Sequence, residues 1–420
     1  MPPRVNTTRA QEVIVRCLRL AAFTEEIGSI RRTFLSPPIR DCHREITRWM
    51  EPLGVRIRID AAGNLRALYP ATQPNAPRLM IGSHLDTVPN AGAYDGALGV
   101  VLAVALLEEL HGRRLSFAIE VVGFSEEEGV RFGTPFIGSR ALVGRLDREL
   151  LDTKDRQGRS VRGAIEAFGL NLDEIPEAKL EEGTLGYIEF HIEQGPVLQK
   201  MNQPLAAVEA IAGQSRLEIR FMGRANHAGT TPMHLRHDAI AAAAEWIGRV
   251  ERVAQEIPDL VATVGKIEAK PGAANVIAAE ARLSLDVRHR SDEIRNRTVE
   301  SLTRQAQEIA VRRGLSVGQS SELKQSAVAM DPFFIAEIEK AMVETGCTPY
   351  RMMSGAGHDA MILAEKIPAA MIFLRTPGGI SHDPAESVAG EDIDKAIECG
   401  LHLLDQLAAS PQFHKRTNRA

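Results

Sequence analysis

The sequence predicts a two-domain α/β protein, an α/β domain interrupted by an inserted α+β domain, on three observations. Apolar strand-like runs alternate with helical stretches through the first half of the chain. Near residue 214 the texture changes to strands in which apolar and polar residues alternate, and after residue 328 the first texture returns. At 420 residues a single core has stopped growing, so two domains are expected on length as well.

Taken in order, RAQEVIVRCLRLAAFT and SPPIRDCHREITRWMEPLG carry the helical period, and NLRALYP, RLMIGSH and FAIEVVGFS read as strands with the helix LGVVLAVALLEELHG between the last two. QSRLEIRFMG and ARLSLDVRH alternate as half-exposed antiparallel strands do, beside the helical stretches HDAIAAAAEWIGRVERVAQ and DEIRNRTVESLTRQAQEIAVRRG. DPFFIAEIEKAMVETG and AAMIFLR restore the α/β pattern. The divisions are therefore 1–213, 214–328 and 329–420, with the middle piece inserted into the first domain. The basic tail HKRTNRA reads as disordered.

Composition narrows the function. Fifty Lys and Arg against 55 Asp and Glu leave a formal charge of -5 with no basic block, which excludes a nucleic-acid partner. No apolar run is long enough for a membrane helix, and the N-terminus lacks a signal-peptide pattern, so a cytoplasmic protein without a membrane partner is expected. The four cysteines, Cys17, Cys42, Cys347 and Cys399, have no CxxC spacing and read as reduced, buried thiols.

The chemistry begins in SHLDTVPNAGAYDGALGV, residues 83–100. His84 ends an apolar strand, Asp86 follows two residues on, and Asp95 stands at the start of a helix. Imidazole and carboxylate suit a divalent transition metal. Residues two apart on an extended segment face the same way, so Asp86 can accept the second ring N–H of His84, and Asp95 can bridge two cations. The same residues read equally well as a satisfied core histidine and a helix cap. FSEEEGVRFG places three carboxylates where a strand ends, the edge at which open α/β sheets bind ligands, although a Glu run is more often a solvated face. One Glu as metal ligand and its neighbour as proton shuttle is the economical assignment. His191 in GYIEFHIEQGP and His382 in GGISHDPAES each lie near a strand end, which brings the donors to five, the number that two metals sharing a bridging carboxylate require.

These motifs, with NHAGTTPM, NVI, DVRH and SGAGHDA, occur in one order from about residue 20 to 405. Together they resemble the dinuclear-metal amidohydrolases that cleave N-carbamoyl-L-amino acids, allantoate and β-ureidopropionate, relatives of aminoacylase and carboxypeptidase G. The resemblance implies an α/β catalytic domain with an inserted lid and dimerisation domain, a homodimer, two divalent ions per chain (zinc, manganese, cobalt or nickel) and a small ureido-acid substrate. It implies that His84 and His191 hold one metal, Glu128 and His382 the other, and Asp95 both, with Glu127 as general base and Asp86 orienting His84. Arg288 suits the substrate's α-carboxylate, both of whose oxygens its planar fork can bond; by the same resemblance Asn275 and Gln194 hold the carboxylate or ureido group and His227 reaches the scissile carbonyl from the partner's lid, while Gly357, His358 and Asp359 line the pocket. An aminoacylase-type hydrolase of N-acyl-amino acids is the alternative, but His191 stands where peptidase relatives usually carry a carboxylate. Arg375 in FLRTPGG is an extra guanidinium open to two readings, a contact to a second acidic or ureido group and an ion pair.

Overall fold

The computed structural model describes residues 8–418. It divides into two compact units: residues 1–209, 330–352 and 358–420 form one, and residues 210–329 with 353–357 form the other. The return of 353–357 to the second unit is a further crossing that the sequence texture did not show.

The first unit is built on a mixed sheet. In chain order its elements are α1 (Arg9–Ala21), α2 (Pro37–Met50), β1 (Arg56–Ile59), β2 (Leu65–Tyr69), β3 (Arg78–His84), α3 (Ala97–Glu109) and β4 (Ala118–Phe124). Short helices α4 (Ile137–Leu142), α5 (Arg148–Asp152) and α6 (Val161–Ala167) precede β5 (Thr184–Ile192), α7 (Val197–Met201) and β6 (Leu205–Ile211). Strands β4, β3, β5 and β14 (Ala369–Leu374) lie side by side and parallel, flanked by antiparallel β2 and β6. Their buried runs RLMIGSH, AIEVVGF, TLGYIEFHI and AAMIFL are the near-continuous apolar strands that a sheet covered on both faces demands. Every residue of α3 from Ala97 to Leu107 is buried, as expected of a helix that is apolar all round. It packs on β3 and β5 and against α1 and α12 (Gly390–Ala409).

Parallel strands point their carboxyl ends the same way. The ends of β3, β4, β5 and β14, and the loops that leave them, therefore share one edge, and His84, the run Glu126–Glu128, His191 and, after β14, His382 all belong to that edge.

In the second unit β7 (Gly213–Met222), β8 (Val261–Thr263), β9 (Ile267–Lys270), β10 (Glu280–His289) and β11 (Ser316–Gln325) form an antiparallel sheet in the order β11-β7-β10-β8, with β9 also on β10. Alternation along β7 and β10 turns Leu217, Ile219 and Phe221 and Ala281, Leu283, Leu285 and Val287 to one face. There they pack with Trp246 of α8 (Ala239–Glu256) and Leu302 and Ile309 of α9 (Asp292–Arg312), a core separate from that of the first unit. The α/β domain with an α+β insert expected from the sequence is what the chain forms.

One expectation fails. The tail is ordered as far as residue 418: α13 (Pro411–His414) buries Phe413, and Arg416 pairs with Asp331 at 3.0 Å and stacks on Phe333. Its basic residue finds a carboxylate and a ring face, which composition alone does not reveal; Arg419 and Ala420 lie outside the described residues. All four cysteines are free and buried.

Candidate metal centre

His84 is the last residue of β3 and His191 the eighth of β5, on neighbouring parallel strands. Their rings stack with centroids 5.7 Å apart, and their Nε2 atoms face each other at 3.5 Å. Nδ1 of His84 lies 3.0 Å from the carbonyl of Asp86, and Nδ1 of His191 lies 2.9 Å from that of Ile192. A carbonyl only accepts, so each Nδ1 carries a proton, which leaves each Nε2 as the atom that can turn a lone pair to a cation. Two lone pairs aimed at one buried point are a ligand pair for a cation.

Asp95 completes that point. Its Oδ1 is buried without a hydrogen bond, 3.2 Å from Nε2 of His191 and 3.7 Å from Nε2 of His84. Its Oδ2 faces the other way, 3.2 Å from Nε2 of His382, whose Nε2 is also 3.6 Å from Glu128. Among the described residues the donors gather in four overlapping groups, of which two, His84 with Asp95 and His191 and Asp95 with Glu128 and His382, share the Asp95 carboxylate; the others are His84 with Glu127 and Glu128, and Glu189 with His191 and His358. An unsatisfied buried carboxylate oxygen between facing imidazole nitrogens fits a divalent cation. Asp95 does not cap α3: Gly96 holds the N-cap position, and no side chain closes that end. Gly96 is at φ +66°, and a Cβ there would overlap the ring of His84, so the turn that carries Asp95 requires glycine.

The electrostatics fit the same reading. Burial opposes charge on His84, but Asp86 and Asp95 outweigh it and hold the imidazole well above its usual range. Burial likewise opposes charge on Asp95, and His191, His382 and His84 hold it well below the usual carboxylate range. Glu128 is pushed up to about 7 by burial and then by Asp95, and Glu127 well above its usual value by burial and then by Glu128. Crowded acids of this kind favour positive charge in their midst.

Asp86 has more partners than the sequence expectation gave it. Its carboxylate accepts the backbone N–H of Glu127 at 2.9 Å and of Glu128 at 3.1 Å, while its own carbonyl orients His84 and its Oδ1 stands 3.4 Å from that ring. It holds both the histidine and the Glu loop. Glu126, the first of the three carboxylates, turns into the interior, where it accepts the N–H of Arg131 at 3.3 Å.

Gln194, at φ +59°, donates to Oδ2 of Asp95 at 2.9 Å. His358 is buried, its ring 4.5 Å from that of His191 and edge-on to it, so it backs a proposed ligand. In the second unit His227 is exposed, and its Nδ1 accepts the N–H of Gly229 at 3.0 Å, which leaves Nε2–H as an outward donor. Asn275 adjoins it, its carbonyl accepting from Ala228 at 2.9 Å. Arg288 is already engaged: Nε and Nη2 each bond Asp286 at 2.9 Å and Nη1 bonds the carbonyl of Gly355 at 2.7 Å, two residues before Gly357. A carboxylate brought to Arg288 would have to share that fork with Asp286. Arg375 is an ion pair, since its guanidinium bonds Asp392 at 2.7 and 2.6 Å and Glu391 at 2.8 Å on the first turn of α12. Sequence reading gave no role to Glu386, which accepts the backbone N–H groups of Tyr94 and Asp95.

A family model described as peptidase family M20/M25/M40 matches residues 80–406. The chain belongs to that family. Among curated relatives, a probable allantoate deiminase of Oryza sativa subsp. japonica is 35% identical over 434 residues, covering 94% of this chain and 88% of that protein. An N-carbamoyl-L-amino acid amidohydrolase of Geobacillus stearothermophilus is 36% identical over 384 residues, covering 91% of this chain and 94% of its own. Among solved structures, an amidase of the hydantoinase/carbamoylase family from Burkholderia multivorans superposes with a TM-score of 0.90 at 28% identity, over 97% of this chain and all of the other.

Proposed function

We propose that this chain is a two-metal amidohydrolase that cleaves the carbamoyl C–N bond of a small ureido acid, allantoate or an N-carbamoyl amino acid, with release of ammonia and carbon dioxide. The observation that carries the reading is the pair of donor groups joined through Asp95, each with an imidazole nitrogen and carboxylate oxygen turned to one point. Its likeness over most of the chain to allantoate deiminase and carbamoyl-amino acid amidohydrolase supplies the substrate class.

In this reading His84 and His191 would hold one divalent ion, Glu128 and His382 a second, and Asp95 both. Such a pair would supply Lewis acidity and would lower the pKa of bound water. Glu127 removes the proton from the attacking water and returns it to the leaving nitrogen, work suited to a buried carboxylate whose loop is fixed by Asp86. Gln194 steadies the bridging carboxylate. In the same reading Arg288 takes the substrate carboxylate, Asn275 and Gln194 the carboxylate or ureido group, Gly357 and His358 the pocket wall, and His227 the oxyanion, for which its Nε2–H is the right donor. The resemblance also gives the second unit the roles of lid and dimer contact in a homodimer; a cytoplasmic location, read from the sequence, belongs to the same proposal.

The test is ammonia release by metal-reconstituted protein from allantoate, several N-carbamoyl-L-amino acids, N-carbamoyl-β-alanine and an N-acetyl-amino acid, with metal content read on the same sample. Release from a ureido substrate at about two metals per chain is expected. Cleavage of the N-acetyl compound alone would move the protein to the aminoacylases.

A further inference from the structure

The two proposed metal positions are built to different standards. His84 and His191 sit on adjacent strands of the sheet, each with its Nδ1 anchored on a carbonyl, and are about 1% exposed. His382 sits on a loop at φ +56°, with its side chain 49% exposed, and no hydrogen bond fixes its Nδ1 among the described residues. Asp95 and His382 also come from loops far apart in the chain. Something must bring the outer ligands to the inner ones.

Glu386 spans that gap. It is 5% exposed, its Oε1 accepts the N–H of Tyr94 at 2.8 Å and of Asp95 at 3.0 Å, and its Oε2 accepts the hydroxyl of Ser381 at 3.1 Å. Ser381 precedes His382, and its Oγ also lies 3.3 Å from Oδ2 of Asp95 and 3.3 Å from the Nε2 of Gln194. One carboxylate thus grips the backbone of the bridging residue and the side chain beside the outer histidine. Gly92 lets it in: a Cβ at that position would overlap both the Cβ and the carboxylate of Glu386.

We propose that Glu386 is a positioning residue that latches the Asp95 turn to the His382 loop and so sets the affinity of the outer metal position, Glu128 and His382, more than that of the inner one. The inner imidazoles are fixed by the sheet and need no latch. The inference rests on the two-cation reading. Loss of an outer-shell partner costs metal sites 10–100-fold in affinity on the order of magnitude, and that loss should fall on one of two equivalents.

The experiment is titration of the apo protein with Co²⁺, by calorimetry and by absorption in competition with a chromophoric chelator, on wild type, Glu386→Ala, Glu386→Gln and Gly92→Ala. The apo melting temperature is recorded for each. Glu386→Ala is expected to keep its first equivalent within about threefold and to weaken the second by about 10–100-fold. Activity should recover at high Co²⁺, because the latch places ligands and touches no reacting atom. Gly92→Ala should show the same split, since it displaces an intact carboxylate. Glu386→Gln should lie near wild type: the amide oxygen accepts the same two N–H groups, and the amide nitrogen donates to Ser381, whose proton turns to Asp95. A second equivalent unchanged in both Glu386→Ala and Gly92→Ala, or two equivalents weakened alike, overturns the proposal. If Glu386→Ala does not fold, Gly92→Ala and Glu386→Gln test the latch in its place. Uptake of fewer than two equivalents by wild type overturns the two-cation reading itself, and a normal wild type with normal variants overturns only the latch.

Discussion

Glu127 and Glu128 are neighbours in the chain with different proposed work, and their surroundings separate them. The group that faces His382 and Asp95 is Glu128, whereas Glu127 gathers with His84 and Glu128 and not with His382. Glu127→Gln keeps volume and backbone anchoring but cannot take a proton. Turnover should fall by at least about 10²–10⁴-fold while metal content stays near two per chain, as read by elemental analysis beside the rate assay. Equal loss of metal and rate would make Glu127 a ligand instead of a base. His43 offers a second test at this scale, remote from the chemistry. Buried against Phe168, with an unpartnered Nε2, its pKa is pushed down to about 3 by burial and then by Arg40. The fold holds it neutral while the unfolded chain protonates near 6.5, so stability is full above pH 6.5 and falls as pH drops toward 3. Denaturant unfolding should show the wild type losing about 2 kcal/mol more than His43→Leu between pH 7.5 and 5. Parallel pH curves for the two proteins would remove the claim.

Among elements, the antiparallel pairing of β2 with β4 places Arg66 close to Glu120, with both side chains within 2% of complete burial. Nε of Arg66 donates to Glu120 at 2.6 Å and Nη1 to the carbonyl of Ala178 at 3.1 Å, while Arg78 reaches the other oxygen of Glu120 at 3.3 Å. The next strand, β3, delivers His84, so this buried network is part of what holds the sheet edge in register. Arg66→Met leaves the buried Glu120 with only the longer contact to Arg78 and should cost about 3–5 kcal/mol, and Arg66→Met with Glu120→Leu should regain most of it. Chemical denaturation of both variants decides, and an additive double mutant would show that the pair is not coupled. The pairing also shows what a sequence can and cannot disclose. RLMIGSH, FAIEVVGFS and AAMIFLR are legible as strands because burial on both faces requires unbroken apolar runs, and strand ends then mark where ligands belong. Partners across the fold leave no such trace. Glu386 lies 291 residues from the Asp95 N–H it accepts, and Arg375 takes its acids from the first turn of a helix that begins 15 residues later. Arg288 and Asp286 are the readable exception, since residues two apart on a strand share a face.

At the scale of the whole molecule, each unit has its own core, and every proposed ligand belongs to the first unit: His84, Asp95, Glu128, His191 and His382 all fall within residues 1–209 or 358–420. The core around Trp246, Leu283 and Leu302 in the second unit contains none of them. A cation that binds only folded protein stabilises the unit that holds it by mass action, about 2.7 kcal/mol when free metal is 100 times its Kd and about 4 kcal/mol at 1,000 times. Removing metal should therefore act on the two units unequally. Calorimetric melting in a chelator is expected to show a transition from the first unit that moves to higher temperature as Zn²⁺ or Mn²⁺ is titrated back, and a transition from the second unit that stays in place. The shift should continue with the logarithm of free metal after the sites are filled, because linkage persists at saturation. A scan in which both transitions climb together would mean that the units melt as one, and a scan in which neither moves would remove the metal from the first unit altogether. Neutralising one ligand at a time, with His382→Ala against His191→Ala, then separates the contributions of the two positions. The inner histidine, buried and anchored on the sheet, should account for the larger part of the shift.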